Sequence, residues 1–253
     1  YYSQGQILGP DGRRMSKSRG NVVPPDDQVA KWGADTFRAY LMFLGPWDQG
    51  GPYDVDGIVG VSRWLNRLWN VATAEPSFTD APTSDEARAI RRATHQTIAR
   101  LTSDIEDKSF NTAVAALMEM TNTLHRAREA AEQEGQGVDR AAWTEAMDSL
   151  LLILAPLCPH ISEELWERRG NDYSVHLQSW PAADESLMVE DTVEIPVQVN
   201  GKVRDHVNVA PDADENTVRA AAEALPRWSE LLGGKEPFRV IYVPGRLLNV
   251  VVK

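Results

Sequence analysis

The sequence is poor in cysteine, in long apolar runs and in positive charge. Its 253 residues include a single cysteine, Cys158, which excludes an internal disulfide and a cysteine-based zinc site. The apolar run from Leu150 to Leu157 is too short to span a bilayer and contains Pro156. The opening residues do not have the pattern of a secretory signal. We therefore expect a cytoplasmic protein without a transmembrane helix.

The net charge of −11, taken alone, favours a protein that does not bind nucleic acid. The acidity is uneven along the chain. Residues 1–45 carry six Lys and Arg against four Asp and Glu, residues 46–189 carry twelve against twenty-three, and residues 190–253 carry eight against ten. Local cation clusters decide phosphate binding, so contacts with nucleic acid remain open at both ends of the chain.

The middle of the chain has the apolar spacing of amphipathic helices, with residues recurring at three and four. Four long helices are predicted: one over Ile58 to Ala72, one reaching about Asp107, one from Phe110 and one over Trp143 to Leu154. Thr83 with Glu86 forms a capping box for the second. Four such helices with short joins predict an antiparallel bundle.

The two flanking regions have different patterns. Glycine and proline punctuate residues 1–25, and residues 26–44 predict one or two short helices, the first capped by Asp26 or Asp27. From residue 190 the apolar period becomes two, with a turn at Asn200-Gly201, which predicts a ββαββ domain. The expected fold class is mainly α with a small α+β domain, in three domains: 1–45, 46–189 and 190–253.

Residues 12–21 form a stretch that is rich in cationic and hydroxyl side chains. Its seven central residues contain four cations, and glycines at both ends allow the loop to move. Hydroxyl residues Ser16 and Ser18 flank Lys17. This composition suits a polyanion that is gripped and then released, although a basic run is more often a solvated turn. The spacing is not that of a Walker P-loop.

Arg14-Met15-Ser16-Lys17-Ser18 resembles the Lys-Met-Ser-Lys-Ser signature of class I aminoacyl-tRNA synthetases. Residues 19–23 and 33–36 match its usual continuation in the leucine, isoleucine and valine group. Arg14 replaces the first lysine of the signature, which keeps the charge but gives a broader, planar donor. The resemblance continues through residues 110–119 and 154–166, which are similar to the helical anticodon-binding domain. Residues 197–204 and 243–252 resemble the C-terminal domain of bacterial leucyl-tRNA synthetases.

The resemblance implies a ligase that joins leucine to its tRNA through leucyl-adenylate, using ATP with Mg²⁺ and acting as a monomer. It implies that Lys17 is catalytic and that Arg14, Met15, Ser16, Lys17 and Ser18 bind ATP. Met15 is expected to anchor the loop against the nucleotide or the protein, with plain packing as the alternative. No resident metal site is expected.

Lys202 and Arg204 are the predicted tRNA-binding residues. They lie two apart on a predicted strand and are therefore expected to share one face, with ordinary surface charge as the alternative. Arg63, Arg67 and Arg126 are weaker candidates on the helices. We expect His160, which follows Pro159 at a helix start, to be a packed or capping residue and not a catalytic one.

The family's His-x-Gly-His motif does not occur in this sequence, and the chain begins without methionine shortly before the basic loop. We therefore expect a piece of a longer enzyme that is inactive alone. The alternatives are a separate tRNA-binding subunit without chemistry of its own, or part of a valyl- or isoleucyl-tRNA synthetase.

Overall fold

The computed structural model describes residues 3–74, 76–80, 85–135, 137–189 and 193–252. The chain divides into two compact units, residues 1–188 and 189–253. The described residues are mainly helical with a small sheet, which confirms the coarse fold class. None of their helices combines the length and the apolar character needed to cross a membrane.

The four predicted amphipathic helices are present in the first unit, and its described residues form seven α-helices in all. They are α1 (Pro25–Trp32), α2 (Ala34–Phe43), α3 (Gly57–Thr73), α4 (Asp85–Glu106), α5 (Phe110–Glu134), α6 (Arg140–Leu154) and α7 (Pro159–Arg168). Their apolar stripes meet in one core, whose largest fully buried side chains include Trp143, Ile58, Leu68, Ile98 and Leu117. Tyr40 of α2 belongs to this core, so residues 1–45 and 46–188 pack together. The boundary near residue 45 and the antiparallel bundle remain predictions.

The predicted cap of α1 is wrong. The helix begins at Pro25 with Pro24 as its N-cap, and Asp26 and Asp27 lie inside the first turn. Proline suits the first helical position because its missing N–H would have no partner there. The two carboxylates then face the positive end of the helix dipole. The Thr83 capping box lies outside the described residues.

The described residues of the first unit contain two short parallel strand pairs, and one of their strands lies in residues 45–54, which glycine and proline predict to be a loop. Strand β1 (Gln6–Leu8) pairs with β2 (Gly50–Pro52), and β3 (Phe78–Thr79) pairs with β4 (Val138–Asp139). Gly50 has φ of +68°, and a Cβ there would lie 2.2 Å from the carbonyl oxygen of Gln6. Only glycine fits this approach, so the Gly/Pro-rich segment closes against β1 as a strand.

A buried hydrogen bond ties α3 to α5. Trp64 Nε1 donates to Thr121 Oγ1 over 3.0 Å, and that hydroxyl donates to the Leu117 carbonyl over 2.7 Å. Thr121 is fully buried. Thr121→Val is expected to lower the free energy of unfolding by about 1–3 kcal/mol, because the indole N–H loses its acceptor in an apolar core.

Urea unfolding followed by tryptophan fluorescence measures this loss. Thr123→Val is the matched control, since the hydrogen bonds of the Thr123 hydroxyl stay within its own helix: it donates to the Glu119 carbonyl and accepts from the Arg126 guanidinium. Equal losses in both variants would contradict the assignment of the stability to the buried bond.

The second unit contains β5 (Val193–Val199), β6 (Lys202–Val209), α8 (Glu215–Glu223), α9 (Trp228–Leu231), β7 (Pro237–Val243) and β8 (Leu247–Val252). The sheet order is β6-β5-β8-β7, with β5 and β8 parallel and the outer pairs antiparallel. Asp214 caps α8 by accepting from the Thr217 N–H over 2.8 Å. The short helix α9 is an addition to the predicted ββαββ order. Asn200 and Gly201 take positive φ, as the predicted turn requires.

Candidate functional site

The basic loop, residues 9–21, leaves the end of β1 and returns beside it. Leu8 forms an antiparallel bridge with Arg14. The Gly9 N–H donates to the Arg13 carbonyl over 2.7 Å, and the Gly12 N–H donates to the Gly9 carbonyl over 2.9 Å. This tight turn anchors the start of the basic run to the small sheet.

The centre of the loop is a single 3-10 turn, Lys17–Arg19. Gly20 ends it at φ of 68°, and its N–H donates to the Lys17 carbonyl over 3.2 Å. The loop's four cationic side chains are all exposed, namely Arg13, Arg14, Lys17 and Arg19. The turn therefore presents a cluster of positive charge to solvent.

Three of the predicted ATP-binding residues lie at the tip. Ser16 Oγ and Ser18 Oγ are 2.8 Å apart, so one hydroxyl donates to the other. Within the part of the chain that the structure describes, no acidic side chain pairs with Lys17. The ammonium is thus available to an incoming anion.

Arg14 and Met15 face a different environment. Met15 is half-buried and packs against the core of the first unit. Both residues line an open cavity of about 460 Å³ together with Trp47, Leu44 and the backbone of β1 and β2. The Trp47 ring meets the Phe110 ring edge-on, with centroids 5.1 Å apart. Met15 therefore holds the loop to the protein, and Ser16, Lys17 and Ser18 lie outside the cavity lining.

Asp11 is the one carboxylate among residues 9–21. The pKa of its carboxyl group is held below the usual range, first by the hydrogen bond from the Asn21 side chain and then by the Arg13 N–H. This carboxylate is thus engaged by the loop itself. Among the described residues, no group of three or more His, Cys, Asp or Glu side chains is arranged to hold a metal ion. Because Mg²⁺ bound with a nucleotide takes only one or two carboxylates beside the phosphates, this result concerns only a site built wholly from protein ligands.

Asp35 makes contacts that sequence reasoning did not anticipate. Its largely buried carboxylate accepts from the Ile161 N–H over 2.6 Å and lies 2.8 Å from His160 Nδ1. Arg38, one turn later, donates to the Leu157 carbonyl over 3.2 Å. These contacts join α2 to the start of α7 across more than a hundred residues, and no local pattern encodes them.

His160 is neither packed nor the cap of its own helix, contrary to expectation. Its side chain is 74% exposed and is held by Asp35. The carboxylate that satisfies the first turn of α7 comes from α2, so the cap is supplied across the tertiary structure. Burial raises the pKa of the neighbouring Cys158 thiol well above its usual range, with Asp35 adding to the shift. That thiol is a neutral packing group.

The weaker helix candidates partly come together. Arg67 of α3 and Arg126 of α5 line one open groove of about 560 Å³, with Asn122 between them. Arg67 donates to the Asn122 side chain, and Arg126 donates to the Asn122 carbonyl over 3.3 Å. Arg63 is exposed but does not line the groove.

Lys202 and Arg204 are both exposed on β6, next to the Asn200-Gly201 turn. The pairing register with β5 shifts between Val197 and Gln198, which leaves Arg204 without an opposite residue. A bulge of this kind breaks the alternation of side chains. That Lys202 and Arg204 share one face of the strand stays a prediction, and the two cations are neighbours in the chain.

Two known families match parts of the chain. The family described as "Anticodon-binding domain of tRNA ligase" matches residues 87–219. The family described as "tRNA synthetases class I (I, L, M and V)" matches residues 1–49, which contain the basic loop.

Curated relatives align over nearly the whole chain. The leucine–tRNA ligase of Herpetosiphon aurantiacus is 47% identical over 251 residues, which is 99% of this chain and 30% of that protein. The leucine–tRNA ligase of Rubrobacter xylanophilus is 49% identical over 253 residues, again 99% of this chain and 30% of that protein. The chain thus spans about a third of the length of these relatives.

A solved structure gives the same grouping. The LeuRS of Agrobacterium radiobacter K84, in a ternary complex with tRNA and LeuAMS, superposes with a TM-score of 0.75 at 29% identity. The superposition covers 100% of this chain and 32% of that one. With more than half of its residues inside the matching family, this chain belongs to the anticodon-binding domain family of tRNA ligases.

Proposed function

We propose that this chain is the C-terminal part of a leucine–tRNA ligase, which joins leucine to its tRNA at the expense of ATP. The observation that carries the proposal is the exposed Lys17 turn on a chain that is 47% identical, over 99% of its length, to such a ligase. In this proposal residues 1–45 supply one side of the ATP site. Residues 46–189 and 190–253 bind tRNA, and the full-length protein acts as a cytoplasmic monomer.

Lys17 is the catalytic residue in this proposal. The leucine carboxylate attacks the α-phosphorus of ATP, the bond to the bridging oxygen breaks, and pyrophosphate leaves with the charge that builds on it. The Lys17 ammonium stabilises that charge, and the Arg14 guanidinium and the hydroxyls of Ser16 and Ser18 add donors. Met15 fixes the loop to the core. In this proposal catalysis depends on positioning and electrostatic stabilisation, without a covalent enzyme intermediate.

Mg²⁺ accompanies ATP in the proposal as part of the nucleotide. Among the described residues no group of three or more His, Cys, Asp or Glu side chains is arranged to hold it, so phosphate oxygens and water would supply most of its ligands. No step of the mechanism assigned to this chain passes through the metal.

The experiment that tests the proposal is amino-acid-dependent ATP–pyrophosphate exchange by the full-length protein, followed by aminoacylation of tRNA. Exchange that depends on leucine, and not on valine or isoleucine, supports it. Exchange with valine or isoleucine instead would move the protein to another member of the group. Absence of exchange, with tRNA binding retained, would favour the separate tRNA-binding subunit.

Lys202 and Arg204 are proposed to contact the tRNA backbone. Lys202→Ala/Arg204→Ala is expected to weaken tRNA binding and to reduce the slope of log K against log salt by about 1–2. A side-chain cation that contacts a phosphate releases counterions from the RNA, so a variant without these two contacts releases fewer of them. Filter binding at several salt concentrations measures both quantities.

The matched control removes two other exposed cations of the same unit, Lys235→Ala/Arg246→Ala. An unchanged slope in the first double variant would mean that Lys202 and Arg204 are ordinary surface charge. An equal change in both would point to the net charge of the unit and not to the hairpin.

A further inference from the structure

Asn21 closes the basic loop with both ends of its side-chain amide. Its Oδ1 accepts from the Ser16 N–H over 2.8 Å. Its Nδ2 donates to the two Asp11 carboxylate oxygens over 3.0 and 3.2 Å and to the Arg14 carbonyl over 3.3 Å. One side chain therefore joins the first turn of the loop to the residue that immediately precedes Lys17.

The packing around this amide is tight. Gly9 is buried, and a Cβ at that position would lie 2.8 Å from Asn21 Nδ2 and 2.9 Å from Asp11 Oδ1. Both atoms belong to the hydrogen-bonded pair, so a larger residue at position 9 would push the pair apart. The Arg14 carbonyl also accepts from Arg19 Nη1 over 3.4 Å, which adds a weaker tie on the other side of the turn.

The Gly9 to Arg13 turn and the packing of Met15 hold the loop to the small sheet and the core, whereas two glycines give its backbone freedom. Gly12 and Gly20 both have positive φ and open space where a Cβ would be, so the backbone can rotate at each end. Lys17 projects from the turn without an ion-pair partner among the described residues. The position of its ammonium is therefore set by the backbone that carries it, and that backbone is held through Ser16 and Arg14.

We propose that Asn21 is a positioning residue that, through Asp11, Arg14 and Ser16, holds the loop in the conformation that places the Lys17 ammonium for adenylate formation. The inference rests on the proposed function. Asn21 does not touch the reacting atoms; it acts through Lys17. Its loss is expected to lower kcat of the exchange reaction more than it changes the KM for leucine, because the proposed function assigns the loop to ATP.

Asn21→Asp is the sharpest single change, because it puts a second carboxylate against Asp11 in nearly the same volume. Repulsion between the carboxylates at positions 11 and 21 is expected to disrupt the loop and displace the Lys17 ammonium. We therefore expect kcat to fall roughly 10- to 100-fold in the full-length protein. Asn21→Ala removes the bonds without adding charge and is expected to give a smaller loss. Asn66→Asp, an exposed residue of α3, is the control for added negative charge.

Exchanging the side chains of Asp11 and Asn21 distinguishes a positioning role of this pair from general damage to the loop. In Asp11→Asn/Asn21→Asp the amide and carboxylate exchange places, so the cross-loop bond returns, while an oxygen at position 21 accepts from the Ser16 N–H as before. The bond to the Arg14 carbonyl is lost and a carboxylate oxygen lies beside that carbonyl instead, so kcat is expected to recover to within about fivefold of the wild-type value and not fully. Retained tRNA binding by each variant establishes that the protein is folded.

The test is leucine-dependent ATP–pyrophosphate exchange by the full-length wild type and these variants, with kcat and KM measured separately. A kcat loss in Asn21→Asp that the reversed pair recovers supports the inference. Unchanged kcat in both single variants, or a double variant as impaired as the single one, overturns it. A wild-type protein without exchange activity would instead overturn the proposed function on which the inference rests.

Discussion

Lys17→Ala in the full-length protein is expected to lower the rate of leucine-dependent ATP–pyrophosphate exchange by roughly 10²–10³-fold. The ammonium is the point charge at the tip of the loop, and the described acidic residues leave it unpaired. A charge held ready in this way stabilises the departing pyrophosphate more than it stabilises bound ATP, so kcat falls more than KM rises.

The same assay on Lys235→Ala provides the control, because Lys235 is an exposed lysine of the second unit. Lys17→Arg keeps the charge but changes the donor geometry and is expected to give an intermediate rate. A loss of less than about threefold in Lys17→Ala, an effect of only ~0.7 kcal/mol on the barrier, would remove Lys17 from the mechanism.

Asp35→Ala is expected to lower the free energy of unfolding by about 3 kcal/mol, from the loss of two hydrogen bonds to a charged, largely buried acceptor. The Ile161 N–H at the start of α7 would be left without its partner, and the His160 ring would lose its anchor. The connection between α2 and α7 would then depend on Arg38 and apolar packing alone.

Urea denaturation followed by tryptophan fluorescence measures the Asp35 effect. Asp27→Ala, an exposed carboxylate in the first turn of α1, is the matched control and is expected to change stability by less than about 1 kcal/mol. Asp35→Asn keeps one acceptor oxygen and should lose less than Asp35→Ala. A loss in Asp35→Ala no larger than in the control would mean that the carboxylate does not hold the two helices together.

The long helices were predictable because their signal is local. In α6 the predicted apolar face of Trp143, Met147, Leu150, Leu151 and Leu154 is buried throughout, since residues three and four apart share one side of a helix. The Asn200-Gly201 turn was predictable for the same reason, because positive φ at two successive positions selects those residues. The start of α1 was misplaced because acidic residues favour both the cap and the first turn.

The sequence by itself determined the chemistry of the basic loop and the faces of the helices. Charge, hydroxyl groups and glycine freedom belong to residues 12–21 wherever the chain places them. Tertiary structure alone decided which groups meet: Asp35 with Ile161, Asn21 with Asp11, and Met15 with the helical core. It also set the bulge that leaves Arg204 without a partner. Periodicity records contacts between residues a few positions apart, whereas these pairings depend on the path of the whole chain and on the space left by neighbouring side chains.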